Sequence, residues 1–501
     1  MDFDQIKQYQ LGFLTLEILL AMAIMIIALS AAILMLFCGQ SLAADSRLNS
    51  EALNYAQKLL EKQRALGLKD FRLVNSASEA ERIFNGKVIV SSHSPFVKNV
   101  SIEVEWGMDG RLQKVGLETL IADYNGTAGN DTCDSNLSGD WAHPQVKEFD
   151  FFELTGVASS TISDIDAYKG KLYVTVGGSA TSTDPTFFIF DITDKNDPKK
   201  ISNSNIKNRF AAMTINGNYA FTANMTSVDQ LKIINIANPD DLGSIAKLEL
   251  KNKITGEDCK GLGESIFYKN GYIYLGLSKD SNCPEFNIID VSTPANPRLV
   301  SGFEIDTQIN DIYAKGDYVF LAHPANLASG VNSAREQVTI LNISNPDNPQ
   351  RVSGIYYNEG FGGYGKSLRS IGDKIYFGRT TSHISNPPDA IGDFFIFDNQ
   401  NPGTTTISIL GLKAFSRVGS ANEVLVRDYL AFVLLGTASQ GGDLRILNVA
   451  DMANIIEEKI IDLPNGTTGS GGKAMDCEGN YLYVVSVDGA DRSYLSIITA
   501  E

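Results

Sequence analysis

Histidine is nearly missing from this chain, with four in 501 residues: His93, His143, His323 and His383. Cysteine is almost as scarce. Cys38, Cys133, Cys259, Cys283 and Cys477 are too widely spaced to form a CxxC clip. A structural zinc site needs four such ligands at short spacings, so no zinc is expected, and no other metal or cofactor. An excess of positive charge is also lacking: 42 lysines and arginines face 59 aspartates and glutamates, a formal charge of −17. Residues 1–124 hold 14 acidic and 12 basic side chains, which leaves 45 and 30 for residues 125–501. A region that acidic repels phosphate backbones, so nucleic acid is excluded as an expected partner there. No GxSxG elbow, no Ser/His/Asp order and no phosphate loop stands out. GFGGYG (360–365) precedes a short strand rather than a helix and fails the context a nucleotide loop requires. Asp164 and Asp166 point the same way if they lie in a strand, but two carboxylates fall far short of the six to eight oxygens calcium takes. DGADRS (488–493) and DSN (280–282) are equally sparse. The expectation is a protein that is not an enzyme.

What the sequence does hold begins with one long apolar run. Phe13 to Phe37 is 25 residues with a single ionisable group, Glu17. At 1.5 Å per residue this is long enough to cross a bilayer core of about 30 Å. A cleaved secretory signal, with Ser41-Leu42-Ala43 as its cleavage site, and a plain membrane anchor are the competing readings. The start, with Asp2 and Asp4 against Lys7, and the length of the run argue against the signal; Glu17 argues against the plain anchor, because a carboxylate within an apolar helix costs about 2.5–3.5 kcal/mol and calls for a partner. Beyond the run, Leu48, Ala52, Tyr55, Leu59 and Leu66 recur at helical spacing and Gly67 offers a stop. Strands are predicted at 87–91, 100–106 and 112–120, with Asp109-Gly110 as a hairpin turn.

The run Gly12-Phe13-Leu14-Thr15-Leu16-Glu17 ahead of 20 apolar residues resembles the prepilin peptidase site of type IV pilins and pseudopilins. The resemblance implies cleavage between Gly12 and Phe13, N-terminal methylation of Phe13, and a Glu17 that assists assembly by neutralising the α-amine of a neighbouring subunit. It also implies prepilin peptidase, other pilin subunits and the membrane as partners. The chain then divides into a leader (1–12), a membrane and amphipathic helix (13–67), a small β domain (68–124) that resembles the globular part of minor pilins, and a Gly/Asn/Asp/Ser-rich linker (125–145).

From 146 to 501 the sequence repeats. FFIFDI (187–192), LKIINI (231–236), FNIIDV (286–291), VTILNI (338–343), FFIFDN (394–399), LRILNV (444–449) and LSIITA (495–500) recur every 44–56 residues, each with a turn-opened strand upstream. About four short strands per period is one propeller blade, so an all-β, seven-bladed β-propeller is predicted. The last copy lacks an outer strand, and VKEFDFFEL (146–154) is expected to supply it and close the ring. FNIIDVSTPANPRLV and VTILNISNPDNPQRV also resemble the LVIVD-repeat propellers, a family of surface and secreted proteins.

Blade geometry then predicts Cys259–Cys283 on one face and Cys133–Cys477 clamping the ring on the other, with four free buried thiols as the alternative. Counting six residues back from each turn puts Asp164, Ala211, Glu264, Asn310, Lys366, Ala421 and Lys473 near the central channel, as small-ligand residues or as the lining of a water-filled hole. Loops 177–186, 323–337 and 379–393 are the expected binding face for a surface, glycan or protein ligand. The functional expectation is a minor pilin or pseudopilin, in the inner membrane before assembly and on the cell surface afterwards, that displays a propeller for adhesion or partner binding. A pseudopilus of a secretion or DNA-uptake system and a membrane-tethered hydrolase or lyase are the alternatives.

Overall fold

The computed structural model describes residues 3–94, 97–108, 111–123, 132–133, 137–155, 162–177, 184–202, 206–324, 336–356, 364–380, 393–403, 407–415, 421–436, 443–463, 471–488 and 492–501. The chain forms two compact units: Met1–Ala65, Asn75–Ser91 and Asn99–Leu120 in the first, and Leu66–Val74, Ser92–Lys98 and Ile121–Glu501 in the second.

The first unit is built on helix α1 (Phe3–Lys69), which no proline interrupts. Its segment Leu19–Leu36 has a mean hydropathy of 2.8 and exposed apolar side chains, and is long and apolar enough to cross a membrane. Further along, Ala52, Tyr55, Ala56, Leu59, Leu60 and Gln63 are buried at spacings of one helical face. That face lies on a four-stranded antiparallel meander, Ala77–Glu81, Phe84–Ser94, Val97–Met108 and Arg111–Ala122. Tyr55 packs tilted on Phe84, which meets Trp106 edge-on, and a Cβ at Gly86 would meet the end of the Leu59 side chain at 2.5 Å, so a larger residue there would have to push that side chain aside. The strands outrun their predicted bounds, and the first was not foreseen. Its sequence, ASEAE, has no β-branched or aromatic residue, and it is held by pairing with Phe84–Val88 and by the ion pairs Lys58–Glu81 and Lys62–Glu79.

Among the described residues the second unit contains seven sheets whose innermost strands pack one against the next and return to the first, the closed ring of a β-propeller. Those innermost strands are Ile162–Tyr168, Phe210–Asn216, Gly263–Lys269, Asp311–Lys315, Tyr364–Ile371, Ala421–Arg427 and Gly471–Gly479. Each continues through a tight hairpin into a second strand. At Asn270-Gly271 both turn residues have positive φ, 51° and 82°, the twist that suits a two-residue hairpin. The third strand of each blade is the repeated apolar motif, and in blades one to six its closing Asp or Asn has a local job. Asp191, Asn235, Asp290, Asn342, Asp398 and Asn448 each accept the backbone N–H two residues on, at 2.9–3.1 Å, which turns the chain toward the outer strand. Between blades lies a dry core. Where the ring closes, Leu172, Val174, Phe188 and Phe190 of blade one pack with Tyr483, Val485, Leu495 and Ile497 of blade seven. A large apolar side chain buried in this way stabilises the fold by about 1.5–3 kcal/mol.

Blade seven takes its outer strand from the far end of the sequence. Gln145–Asp150 pairs antiparallel with Ser493–Thr499, Gln145 opposite Thr499 and Asp150 opposite Tyr494. The predicted strand through 154 stops at Asp150, because Phe151–Thr155 turns into a short helix that sets Phe151 edge-on to Phe188 and Phe190. The segment read as a linker is also structural in part. Thr132–Cys133 lies parallel to Glu478–Gly479, and Trp141 is buried against Phe432 at 5.0 Å. Disulfides join Cys133 to Cys477 and Cys259 to Cys283, with Cα atoms 5.2 and 5.3 Å apart.

Candidate functional site: the central cavity

The innermost strands surround a cavity of about 270 Å³. Strand pairing sets which side chains share a level. Asn310 aligns with Ser163, Ala211, Glu264, Lys366 and Asn422, and these line the cavity mouth. Glu264, Asn310, Lys366 and Ala211 therefore lie where the sequence count put them. Lys473 occupies the same level on blade seven but is exposed and stands outside the lining, although its charge still acts on Lys366. Two positions need correction. Asp164 lies one residue deeper than counted, because Gly170 is the second residue of its turn, whereas Gly217 and Gly316 are the first of theirs. Ala421 sits one residue too early, and Asn422 takes its place in the lining. A slip of one residue sends a strand side chain to the other face.

The layer below was not foreseen. Asp164, Asp311 and Glu423 converge there on one cation, Arg369, which donates to Asp311 at 3.0 Å and to Glu423 at 3.3 Å. Each carboxylate also takes a backbone N–H from the next blade. Asp164 accepts from Met213 (2.7 Å), Asp311 from Leu368 (2.8 Å) and Glu423 from Met475 (2.6 Å). Deeper still, Asp166 accepts from Ile215 (3.0 Å) and Asp476 from Ala167 (2.6 Å), the latter across the seam between blades seven and one. These acids are staples between blades, and this use explains the Asp164/Asp166 alternation better than a cation does.

Three carboxylates on one guanidinium leave excess negative charge in a small, partly dry space. Burial pushes Asp164 up to about 7, against the N–H bonds from Met213 and Ile165 and the charge of Arg369. Burial likewise raises Asp311, and raises Glu423 well above the ordinary carboxylate range, where Asp164 and Asp311 add to the effect. Burial works against the Arg369 charge, yet Asp311 and Glu423 outweigh it and its pKa rises. At the mouth, burial raises Glu264 and lowers Lys366.

The remaining predicted residues fall elsewhere. Gly12, Phe13 and Glu17 are within α1, and their side chains lie outside the described residues. Most of loops 177–186, 323–337 and 379–393 lies outside them too. Asp280 of the DSN loop accepts from Lys260 N, Gly261 N and Asn282 N, so it holds the loop together beside Cys259–Cys283. A second buried charge centre was also missed. Lys315 and Asp123 form a fully buried ion pair, and Gly372 contributes its carbonyl to Lys315 and its N–H to Asp123. Alongside, Arg72 pairs with Asp70 at 2.6 Å and stacks on Tyr318.

No protein-family model matches the chain, and no curated protein matches it. Among solved structures it is similar to a periplasmic gluconolactonase of Pseudomonas aeruginosa, at 10% identity and a TM-score of 0.42, over 76% of this chain and 96% of that one. It is also similar to a protein of unknown function from Bacteroides thetaiotaomicron, at 9% identity and a TM-score of 0.36, over 85% and 98% of the two chains. The expectation that the protein is not an enzyme is withdrawn, since an enzyme stands among the solved structures it is similar to.

Proposed function

We propose that the protein is a pilin-like subunit that inserts in the membrane through α1, assembles into a type IV pilus-like filament and displays its propeller at the cell surface. The observation that carries this reading is the form of α1. It is a single uninterrupted helix with an exposed apolar segment, Leu19–Leu36, and a later face that packs on an antiparallel meander. A plain anchor needs only the first of these. The sequence Gly12-Phe13 with Glu17 five residues into the run adds a chemical reason for assembly. Cleavage after Gly12 creates an α-amine on Phe13, and the Glu17 carboxylate of an adjacent subunit neutralises it. Two unpaired charges then leave the apolar surroundings together. Mass spectrometry of the mature protein should find methylated Phe13 as its first residue, and Glu17→Ala should abolish incorporation into filaments. Native protein that keeps residues 1–12, or a Glu17→Ala variant that assembles normally, would refute the proposal.

A further inference from the structure

The floor and the mouth of the central cavity differ in one respect. On the floor every charge is engaged: Asp164 with Met213 and Ile165, and Asp311 and Glu423 with Arg369 and with neighbouring backbone N–H groups. At the mouth, Asn310 and Asn422 are engaged as well, each donating to a carbonyl of the following blade, Gly365 and Gly472. Glu264 and Lys366 have no such role. Both line the cavity, both are half-buried, and neither makes a hydrogen bond or ion pair among the described residues. They stand on blades three and five with Asn310 between them, near enough to feel each other's charge and not joined. Lys473, on blade seven, adds a second positive charge on the side of Lys366.

Two opposite charges, partly desolvated and unpaired, define what would satisfy them. An uncharged molecule can offer each of them a hydrogen bond but no opposite charge, and charge-assisted hydrogen bonds are the stronger kind. A simple anion satisfies Lys366 and meets Glu264 as a like charge, and a simple cation meets Lys366 and Lys473 in the same way. A molecule with a carboxylate at one end and an ammonium at the other answers both at once. We infer that the cavity mouth is a binding site for a small zwitterion of amino-acid size, its carboxylate on Lys366 with help from Lys473 and its ammonium on Glu264. A volume of about 270 Å³ lies below the usual range for drug-sized ligands, which restricts the occupant to a compact molecule. The engaged floor supports the site rather than competing for the ligand, because Arg369 and the backbone N–H groups already occupy its acids.

This inference is independent of the filament reading and is tested on the full chain in detergent micelles. Titration calorimetry would compare L-alanine and D-alanine as zwitterions with acetate, methylammonium and glucose. At least one alanine enantiomer should bind at least tenfold more tightly than each of the other three. Lys366→Met and Glu264→Gln should each weaken that binding by tenfold or more. Thermal melts of both variants check folding, and Glu264→Gln preserves shape if the lysine variant fails to fold. Three results would overturn the site: no heat with either alanine up to tens of millimolar, acetate binding as tightly as alanine, or unchanged affinity in a folded variant.

Discussion

Replacing Cys133 and Cys477 together by alanine should destabilise the propeller more than the same change at Cys259 and Cys283. The chemistry removed is the same, and all four residues are buried, so packing losses are comparable. What differs is the stretch of chain that each bond closes: 344 residues in one case and 24 in the other. In the loop-entropy model the long closure contributes about 6 kcal/mol and the short one about 3.5 kcal/mol. Unfolding entropy of about 2.1 cal/mol/K per residue, over the roughly 380 residues of Ile121–Glu501, converts these to losses of about 7 °C and about 4 °C in Tm. Trp141, buried against Phe432, reports the melt by fluorescence once Trp106 is replaced by phenylalanine. Equal losses, or a larger loss for the 24-residue bond, would show that constraint of the unfolded ring is not the source of stability.

Lys315→Met should cost about 3–5 kcal/mol, because it leaves the Asp123 carboxylate buried without its cation. The double change with Asp123→Asn should recover most of that loss, as Tm values of the two variants would show. Asp164→Asn tests the floor of the cavity through pH. The Asp164 pKa is raised to about 7, so the folded state holds its proton more tightly than the unfolded chain does, and the wild type loses stability as the pH rises from about 4 to about 7. The loss amounts to about 4 kcal/mol from this group alone. Asparagine imitates the neutral acid, so the Tm difference, variant minus wild type, should grow more positive across that interval. A difference that stays flat with pH would contradict the raised pKa.

The propeller was legible because its signals are local. An apolar third strand ending in Asp or Asn states both its pairing and the turn that follows, as Asp290 and Asn342 show when they accept the N–H of Ser292 and Ser344. The outer strand of blade seven was legible by subtraction, since the last repeat lacked one. The cavity was only half legible. Counting from the turn residues found Glu264, Asn310 and Lys366, but the residue counted from can be either position of a two-residue turn, as Gly170 and Gly316 are, and the count at blade one landed on Asp164 in the wrong layer. Arg369 and Glu423 gave no signal at all. Their meaning comes from blades five and six standing side by side, which no spacing along the chain expresses. Ala77–Glu81 was hidden for the opposite reason, because a strand without β-forming residues depends on its neighbours.

The outer strand borrowed by blade seven sets a timetable for the polypeptide. Gln145–Asp150 is synthesised before any of the seven innermost strands, and it has no partner in its sheet until Ser493–Thr499 emerges almost 350 residues later. Through that interval Val146 and Phe149 wait uncovered, and the unfinished blades present open edges to any passing strand. A chain tethered by its N-terminal helix would spend this vulnerable period at the bilayer, where a holding chaperone, or simply rapid delivery of the remaining sequence, would decide whether the circle completes or aggregates.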